Sequence, residues 1–314
     1  MPALLAEVTR SGFVESLHHG SVVGLLPSGA VGVSVGAVGE PVLPRSCMKP
    51  FQALACLSAG APLAGPALAI AAGSHTGEDR HVELVERLLG EVPAESLRCP
   101  PSWPEDEQTR QRLAEPSRLR MNCSGKHAAM LAACVAAGWP TRTYLDPAHP
   151  LQQLVARTME ELSGEPVAHT AVDGCGAPVF GLSLHGLARA MQGLVRTPVA
   201  DAMRTFPEYV GGTGHVNTVV MQLLPGVVAK GGAEGVLVLA TTAGHAVAVK
   251  VLDGNPRATT AIGLTALAAL GHDVSPAEEH LSVPVLGGGE VVGEVRVAFH
   301  RPSGQNPSGQ NPSG

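Results

Sequence analysis

Residues 235–253 read GVLVLATTAGHAVAVKVLD, two runs of β-branched and aliphatic residues on either side of Ala243-Gly244. Two such runs around a glycine-containing turn are typical of paired β-strands. A helix is predicted next, over residues 256–270, and a last strand near 289–299. The C-terminal part of the chain therefore predicts strands that need partners elsewhere in the sequence.

The N-terminal residues 3–38 supply those partners. They alternate in polarity and break at Ser11-Gly12, His19-Gly20 and Pro27-Ser28-Gly29, which predicts three short antiparallel strands joined by tight turns. Helical signals dominate the middle of the chain, from residue 50 to about 222. The predicted helical segments are 51–60 behind Pro50, 77–90, 104–115, 125–138 and 149–162.

Strands at both ends of the chain most simply pair with one another. We therefore predict a mixed α+β fold, with one antiparallel sheet built from both termini, helices on its faces and a largely helical insert. One domain is expected over residues 1–300, with the sheet from about 1–45 and 227–300 and the helical part over about 46–226. Residues 301–314 contain the low-complexity repeat PSGQN and are predicted to be disordered.

The composition limits the possible partners. Only 15% of the residues are charged and the net charge is −6, so the chain has no basic field for nucleic acid or an anionic membrane surface. Aromatic residues make up 3%, which disfavours ligands held by ring stacking. We expect a small molecule or another protein as the partner.

Residues 51–73 carry no charge, but glycines and prolines divide them into pieces too short to cross about 30 Å of hydrocarbon, so two buried elements are predicted. The N-terminal segment MPALLAEVTRSGF lacks the features of a secretory signal, which favours a cytoplasmic location. The six cysteines include no C-x-x-C pair, and we expect reduced thiols at 47, 56, 99, 123, 134 and 175.

RSCMKPFQ, residues 45–52, places Ser46 three residues before Lys49. A serine hydroxyl becomes a nucleophile when a neighbouring group takes its proton, and a lysine amine does so only when it is neutral. Residues i and i+3 share one face of a helix or 3₁₀ turn. Because a residue before proline is disfavoured in the α region, we expect the regular helix to begin at Pro50 and the pair to share a tight turn. On its own the S-x-x-K spacing is a weak signal.

Two further residues strengthen it. Lys230 precedes Gly231-Gly232 and a predicted strand, and an early S-x-x-K followed by a late K-x-G is the order found in penicillin-recognising serine enzymes. Between them Ser74 lies in GSHTGED, where it could cap a helix or carry protons between the two lysines. Two neighbouring lysines disfavour each other's charge, and burial adds to that effect.

A second group of residues lies in NCSGKH (122–127) and DGCG (173–176). Buried free cysteine is common, so Cys123 and Cys175 can be packing residues. A metal site would need both thiolates and further ligands, among which His127 is a candidate. For His75 and the pair His18-His19, solvated or capping positions are expected.

An amino-acid ligand would suit the charged residues of these segments. Its α-ammonium requires a carboxylate, for which Asp173 and Glu78 are candidates, and its α-carboxylate requires a cation such as Arg45 or amides at a helix end. The alternative for Asp173 is an Asx-turn.

Together these segments resemble the L-asparaginase II family, the rhizobial thermolabile type. The blocks that carry the resemblance occur in order over nearly 190 residues: R-S-x-x-K-P-x-Q (45–52), S-H-x-G-E (74–78), N-C-S-G-K-H (122–127), D-G-C-G-x-P (173–178) and K-x-G-A-E-G (230–235).

The resemblance implies a serine β-lactamase-like, serine glutaminase-like fold, a homodimer, and two Ser-Lys tandems, Ser46 with Lys49 and Ser74 with Lys230. It implies a zinc ion near the substrate, held by Cys123, Lys126 and Cys175 and not required for hydrolysis. The expected activity is hydrolysis of L-asparagine through a serine acyl-enzyme. Within the matching blocks we assign substrate contacts to Arg45, His75, Glu78, His127 and Asp173.

Two other functions remain open at this point. One is a glutaminase, or a hydrolase of β-lactams or peptides, on the same fold. The other is a non-catalytic zinc-binding regulatory protein in which the serines cap helices.

Overall fold

A computed structural model describes residues 1–299, so the prediction for the tail, 301–314, lies outside the described residues. Eight strands form one antiparallel sheet in the order β10-β11-β1-β2-β9-β8-β7, with β3 also paired to β2. Both ends of the chain supply its strands, which confirms the predicted α+β fold. The strands are β1 (Ala3–Arg10), β2 (Phe13–Leu25), β3 (Val31–Val35), β4 (Pro41–Val42), β5 (His169–Val172), β6 (Pro178–Ser183), β7 (Val227–Gly232), β8 (Val236–Thr241), β9 (Ala246–Val251), β10 (Val283–Gly287) and β11 (Glu290–Val297).

The middle of the chain is largely helical, as predicted, but it also contributes β5 and β6 to a small sheet ordered β4-β6-β5. The helices are α1 (Lys49–Ser58), α2 (Pro66–Ala71), α3 (Asp79–Leu89), α4 (Glu107–Arg110), α5 (Ser124–Ala137), α6 (Pro150–Ser163), α7 (Leu184–Leu194), α8 (Pro198–Thr205), α9 (Pro207–Val210), α10 (Val216–Leu223) and α11 (Thr259–Ala269). Short 3₁₀ helices lie at Arg45–Met48, Ala94–Ser96, Thr141–Thr143, Pro256–Ala258 and Ser275–His280.

The predicted break at His19-Gly20 is wrong, because β2 runs through it. A side chain at Gly20 would place its Cβ 2.0 Å from the carbonyl oxygen of Lys250 in β9. The glycine therefore permits a close approach of two strands and does not mark a turn. The breaks at 11–12 and 27–29 are confirmed by the connections β1–β2 and β2–β3.

The helix predicted over 104–115 is also wrong for most of its length. Only Glu107–Arg110 is helical, with Asp106 accepting a hydrogen bond from the Thr109 amide as its N-cap. Thr109 is the one residue of this helix that is buried. A short polar helix without an apolar face has no packing energy to extend it.

The core lies between the sheet and the helices. Every residue of β8 is buried, so both faces of the sheet are covered there, and α7 and α11 pack against the central strands. The uncharged residues 51–73 form α1 and α2, two separate buried elements, as predicted. Within residues 1–299 none of the helices combines the length and the apolar character needed to cross a bilayer.

Candidate active site

Two buried lysines meet at one serine. The Nζ atom of Lys49, at the start of α1, lies 2.8 Å from Ser74 Oγ, and the Nζ atom of Lys230, in β7, lies 2.9 Å from the same oxygen. Lys49 is 1% exposed and Lys230 is 0% exposed, which places both among the largest fully buried side chains. Among the described residues neither ammonium pairs with a carboxylate. The site therefore places two buried amines around one hydroxyl group.

Backbone contacts fix the serine between the lysines. The Ser74 amide donates to the Val210 carbonyl at 2.7 Å, and the next amide, of His75, donates to the Asn122 carbonyl at 3.2 Å. The same Asn122 oxygen accepts from Lys49 Nζ at 3.2 Å. Gly73 is required beside them, since a Cβ there would lie 2.6 Å from the Tyr209 carbonyl oxygen.

Burial, and then the nearby charge of Lys49, lower the pKa of Lys230 to about 7. An amine with this pKa is neutral in a large fraction of molecules near neutral pH. It can then accept a proton, which is the property that the sequence pattern required of a lysine beside a catalytic serine.

Ser46 and Ser74 line one cavity of about 360 Å³. Ser46 is partly exposed and lies in the 3₁₀ helix Arg45–Met48 directly before α1, which confirms the predicted tight turn, although the regular helix begins one residue earlier than predicted, at Lys49. Among the described residues Ser46 and Lys49 form no hydrogen bond with each other, and Lys49 Nζ contacts Ser74 Oγ and the Asn122 carbonyl oxygen. Catalytic contacts of this kind often tighten only when substrate binds.

Strand β7 packs directly against this 3₁₀ helix. Cys47 Sγ donates to the Lys230 carbonyl oxygen at 3.0 Å, and a Cβ at Gly232 would lie 2.8 Å from the Pro44 carbonyl oxygen. Gly232, two residues after Lys230, therefore permits β7 to approach the 3₁₀ helix closely. This approach brings Lys230 and Ser46 into one site.

Arg45 and Asp173 were both predicted to contact the substrate, and the structure pairs them with each other. Arg45 Nε donates to Asp173 Oδ1 at 2.7 Å, and the Asp173 side chain is 10% exposed. Burial alone would raise the pKa of Asp173, but Lys126 and Arg45 lower it below its ordinary value. Arg45 also has a φ of 50°, an uncommon backbone conformation that is often found at functional sites.

Glu78 lies outside the cavity that Ser46 and Ser74 share. It is the N-cap residue of α3, so the capping position considered for Ser74 belongs to Glu78. Burial alone would raise the pKa of Glu78, but hydrogen bonds from the Thr213 amide, Arg80 and Thr76 lower it to about 2. These hydrogen bonds already pair the Glu78 carboxylate, so it needs no substrate group as a partner.

His75 and His127 are fully buried and do not line the cavity. The solvated or capping position expected for His75 is wrong, because its Nε2 contacts Ser124 Oγ at 2.9 Å inside the protein. His18, for which the same was expected, is also buried and contacts Asp253. His127 Nδ1 contacts the Tyr144 hydroxyl at 2.6 Å. The substrate contacts assigned to His75 and His127 stay predictions.

The three candidate zinc ligands lie close together. Lys126 Nζ contacts Cys175 Sγ at 2.9 Å, and a hydrogen bond from Cys175 lowers the pKa of Cys123 well below its ordinary value. Burial alone would lower the pKa of Lys126, but the two sulfurs raise it above its ordinary value. Within residues 1–299 no group of three or more His, Cys, Asp or Glu side chains could hold a metal, so a site here depends on the Lys126 amine losing its proton. All six cysteines are free thiols, as expected, and all six are buried.

Several polar residues that the sequence analysis did not select line the cavity. Asn122 Nδ2 donates to Glu105 Oε1 at 2.8 Å, and Asn217 Oδ1 accepts from the Gly231 amide at 3.0 Å. Burial, and then the charge of Lys230, lower the pKa of His215 to about 4. Asn122 begins the NCSGKH segment and was within reach of sequence analysis, whereas Glu105 lies in a charged segment interpreted as a helix.

A family model described as L-asparaginase II matches residues 6–297. No curated protein matches the chain.

Among solved structures the chain is similar to those of a protein named Mglu. The native form in the presence of 4.3 M NaCl is 15% identical, with a TM-score of 0.46, over 82% of this chain and 62% of that one. The glutamate form is 16% identical, with a TM-score of 0.41, over 79% and 59%. The chain thus covers less than two thirds of the length of these relatives.

Proposed function

The chain belongs to the L-asparaginase II family, and from that membership we propose that it hydrolyses L-asparagine to L-aspartate and ammonia through a serine acyl-enzyme. The observation that carries the proposal is the convergence of two buried lysines on Ser74, in a cavity that Ser46 also lines. Serine amide hydrolysis needs a general base, a group that carries protons and a hydroxyl that acts as the nucleophile.

Acylation starts at Ser46. Lys49 passes a proton through the Ser74 hydroxyl to the neutral amine of Lys230 and then accepts the proton of Ser46, whose Oγ forms a bond with the side-chain amide carbon. Ser74 lies between Lys49 and Lys230, so a proton from the lysine pair reaches the departing nitrogen through its hydroxyl, and the C–N bond breaks to release ammonia. A water molecule then attacks the ester carbon and gives a proton to the lysine pair. The bond between this carbon and Ser46 Oγ breaks, the lysine pair returns the proton to Oγ, and aspartate leaves.

The negative charge on the reacting oxygen requires hydrogen-bond donors. Gly231, Gly232 and Ala233 line the same cavity as Ser46. We assign the oxyanion site to backbone amides around Ser46 and along this end of β7, where each donor contributes about 3 kcal/mol to transition-state stabilisation.

The test separates the two serines. Ser46→Ala should lower ammonia release from L-asparagine by about 10⁴-fold or more and abolish the acyl-enzyme in mass spectra, because it removes the nucleophile. Ser74→Ala should lower turnover by about 10²–10⁴-fold and form the acyl-enzyme more slowly, because it keeps the nucleophile but removes the proton carrier. Ser58→Ala, on the exposed end of α1, is the control and should retain wild-type turnover.

Wild-type turnover by Ser46→Ala would overturn the assignment. Glutamine is assayed beside asparagine, since one methylene usually discriminates by only about 1–3 kcal/mol. Hydrolysis of a chromogenic β-lactam in place of either amide would favour another hydrolase of the same fold. Tight metal binding without any amide hydrolysis would favour a regulatory protein.

We further propose that Cys123, Lys126 and Cys175 hold a zinc ion. The Cys123 sulfur, whose pKa is lowered by Cys175, supports this role, while Lys126 must lose its proton to bind. A zinc ion there would add positive charge beside the substrate cavity, and no proton transfer described above requires it. Metal analysis of the purified protein, before and after treatment with a chelator, tests the proposal.

The homodimer and the cytoplasmic location implied earlier also stay predictions. Light scattering of the purified protein would measure the first.

A further inference from the structure

Glu105 supplies the one carboxylate among the described residues that line the cavity shared by Ser46 and Ser74. It lies just before α4 and is an exposed residue. Asn122 Nδ2 donates to its Oε1 at 2.8 Å. The backbone carbonyl of the same asparagine accepts from Lys49. Asn122 therefore fixes the carboxylate relative to the lysine pair.

The other two carboxylates considered for this purpose are already occupied. Asp173 forms an ion pair with Arg45 at 2.7 Å. Glu78 accepts from Arg80 and from the Thr213 amide while it caps α3. Glu105, in contrast, has no ion pair with a lysine, arginine or histidine among residues 1–299. It can accept a charged ligand group without breaking an ion pair.

The charge distribution gives a substrate one favourable orientation. Lys49 and Lys230 meet at Ser74, so an ammonium group placed beside them would be repelled. Glu105 offers opposite charge in the same cavity. An amino-acid amide therefore fits best with its reacting amide toward the serines and its α-ammonium toward Glu105.

We propose that Glu105 binds the α-ammonium group of the substrate and so selects amino-acid amides over amides that lack an amino group. The proposal rests on the function proposed above. It assigns to Glu105 a role that the sequence analysis gave to Asp173 and Glu78.

The experiment compares L-asparagine with succinamic acid, which has the same chain and amide but no α-amino group. Glu105→Gln should raise KM for L-asparagine by about ten- to a hundredfold with little change in kcat, because the α-ammonium loses the opposite charge of the carboxylate and keeps only a neutral acceptor. Its kinetics with succinamic acid should stay at the wild-type values. Glu107→Gln, two residues away on the exposed start of α4, is the matched control and should change neither substrate.

Equal losses on both substrates, or no loss on either, would overturn the role of Glu105. Calorimetric titration keeps this result separate from catalysis. Wild-type protein should bind L-aspartate more tightly than succinate, and Glu105→Gln should remove most of that difference. If the difference survives in the variant, or is missing in the wild type, the proposal is wrong. Absence of ammonia release from wild-type protein would overturn the proposed function alone.

Discussion

The Ser74 hydroxyl contacts the amines of Lys49 and Lys230. The proposed amide hydrolysis depends on one of these amines losing its proton. Burial and the charge of Lys49 lower the pKa of Lys230 to about 7. Below that value Lys230 holds a proton and cannot accept another. We therefore expect kcat/KM for L-asparagine to rise with pH, about tenfold per unit below the pKa, and to level off above it. A pH–rate profile of ammonia release measures this.

The control for this prediction is Lys230→Arg. A guanidinium stays protonated over the whole range, so the variant should lose most of its activity and the step near neutral pH. A wild-type profile that is flat between about pH 6 and pH 8 would contradict the role given to Lys230.

The sequence predicts contacts between residues that are close in the chain better than contacts between distant ones. The motifs placed Ser46, Lys49, Ser74 and Lys230 in one site, because S-x-x-K and K-x-G each have a local reason for their spacing. They could not show that Lys49 contacts Ser74 and not Ser46, since that contact joins residues 25 positions apart. Glu105 was missed for the same reason, because its partner Asn122 lies 17 positions away and no local pattern links them.

At the scale of elements, the site depends on how closely β7 approaches the 3₁₀ helix that carries Ser46. Gly232→Ala would place a Cβ 2.8 Å from the Pro44 carbonyl oxygen and 3.2 Å from the Cys47 amide nitrogen. Backbone atoms cannot rotate away, so the strand must shift and carry Lys230 with it. We expect turnover to fall by about 10²-fold, because misplacement of about 1 Å has that effect on catalysis. Steady-state ammonia release measures it.

Gly39→Ala is the matched control, since a Cβ at that position would meet no atom within 4 Å and its φ is not positive. It should keep wild-type turnover. Near-native circular dichroism of Gly232→Ala would show that its loss is local. Full activity in Gly232→Ala would mean that the packing of strand against turn does not position Lys230.

Four of the predicted helical segments have a buried apolar face and are helical, whereas the one without such a face is mostly not. The helices α1, α3, α5 and α6 match their predicted segments within a few residues. Residues 104–115 have helix-forming charges but almost nothing to bury, and only four of them are helical. The uninterrupted β2 was missed because a glycine needed for strand contact has the same sequence signal as a glycine in a turn.

Across the whole molecule, the antiparallel sheet encloses Lys230, which forms no ion pair with a carboxylate among residues 1–299. Strand β7 is the last strand of the sheet order, beside β8, and Lys230 in it is 0% exposed. Burying an amine without a carboxylate partner opposes folding whenever the amine is protonated. The buried amine of Lys230 therefore lowers the free energy of unfolding, at a position where the proposed reaction needs an amine.

Lys230→Met should accordingly abolish turnover and raise the free energy of unfolding at neutral pH by about 3 kcal/mol, since it replaces a desolvated amine by an apolar side chain of similar length. Between the native pKa of about 7 and the ordinary value of 10.5, the unfolded chain holds the proton and the native protein does not. Wild-type stability from this residue must therefore rise with pH across that window. The advantage of the variant should be largest below pH of about 7 and shrink toward 10.5, as measured by urea unfolding at several pH values. Lys250→Met, at a partly exposed site in β9, is the control and should change the free energy of unfolding less. A Lys230→Met protein that is less stable than wild type at every pH would show that the buried amine does not oppose folding.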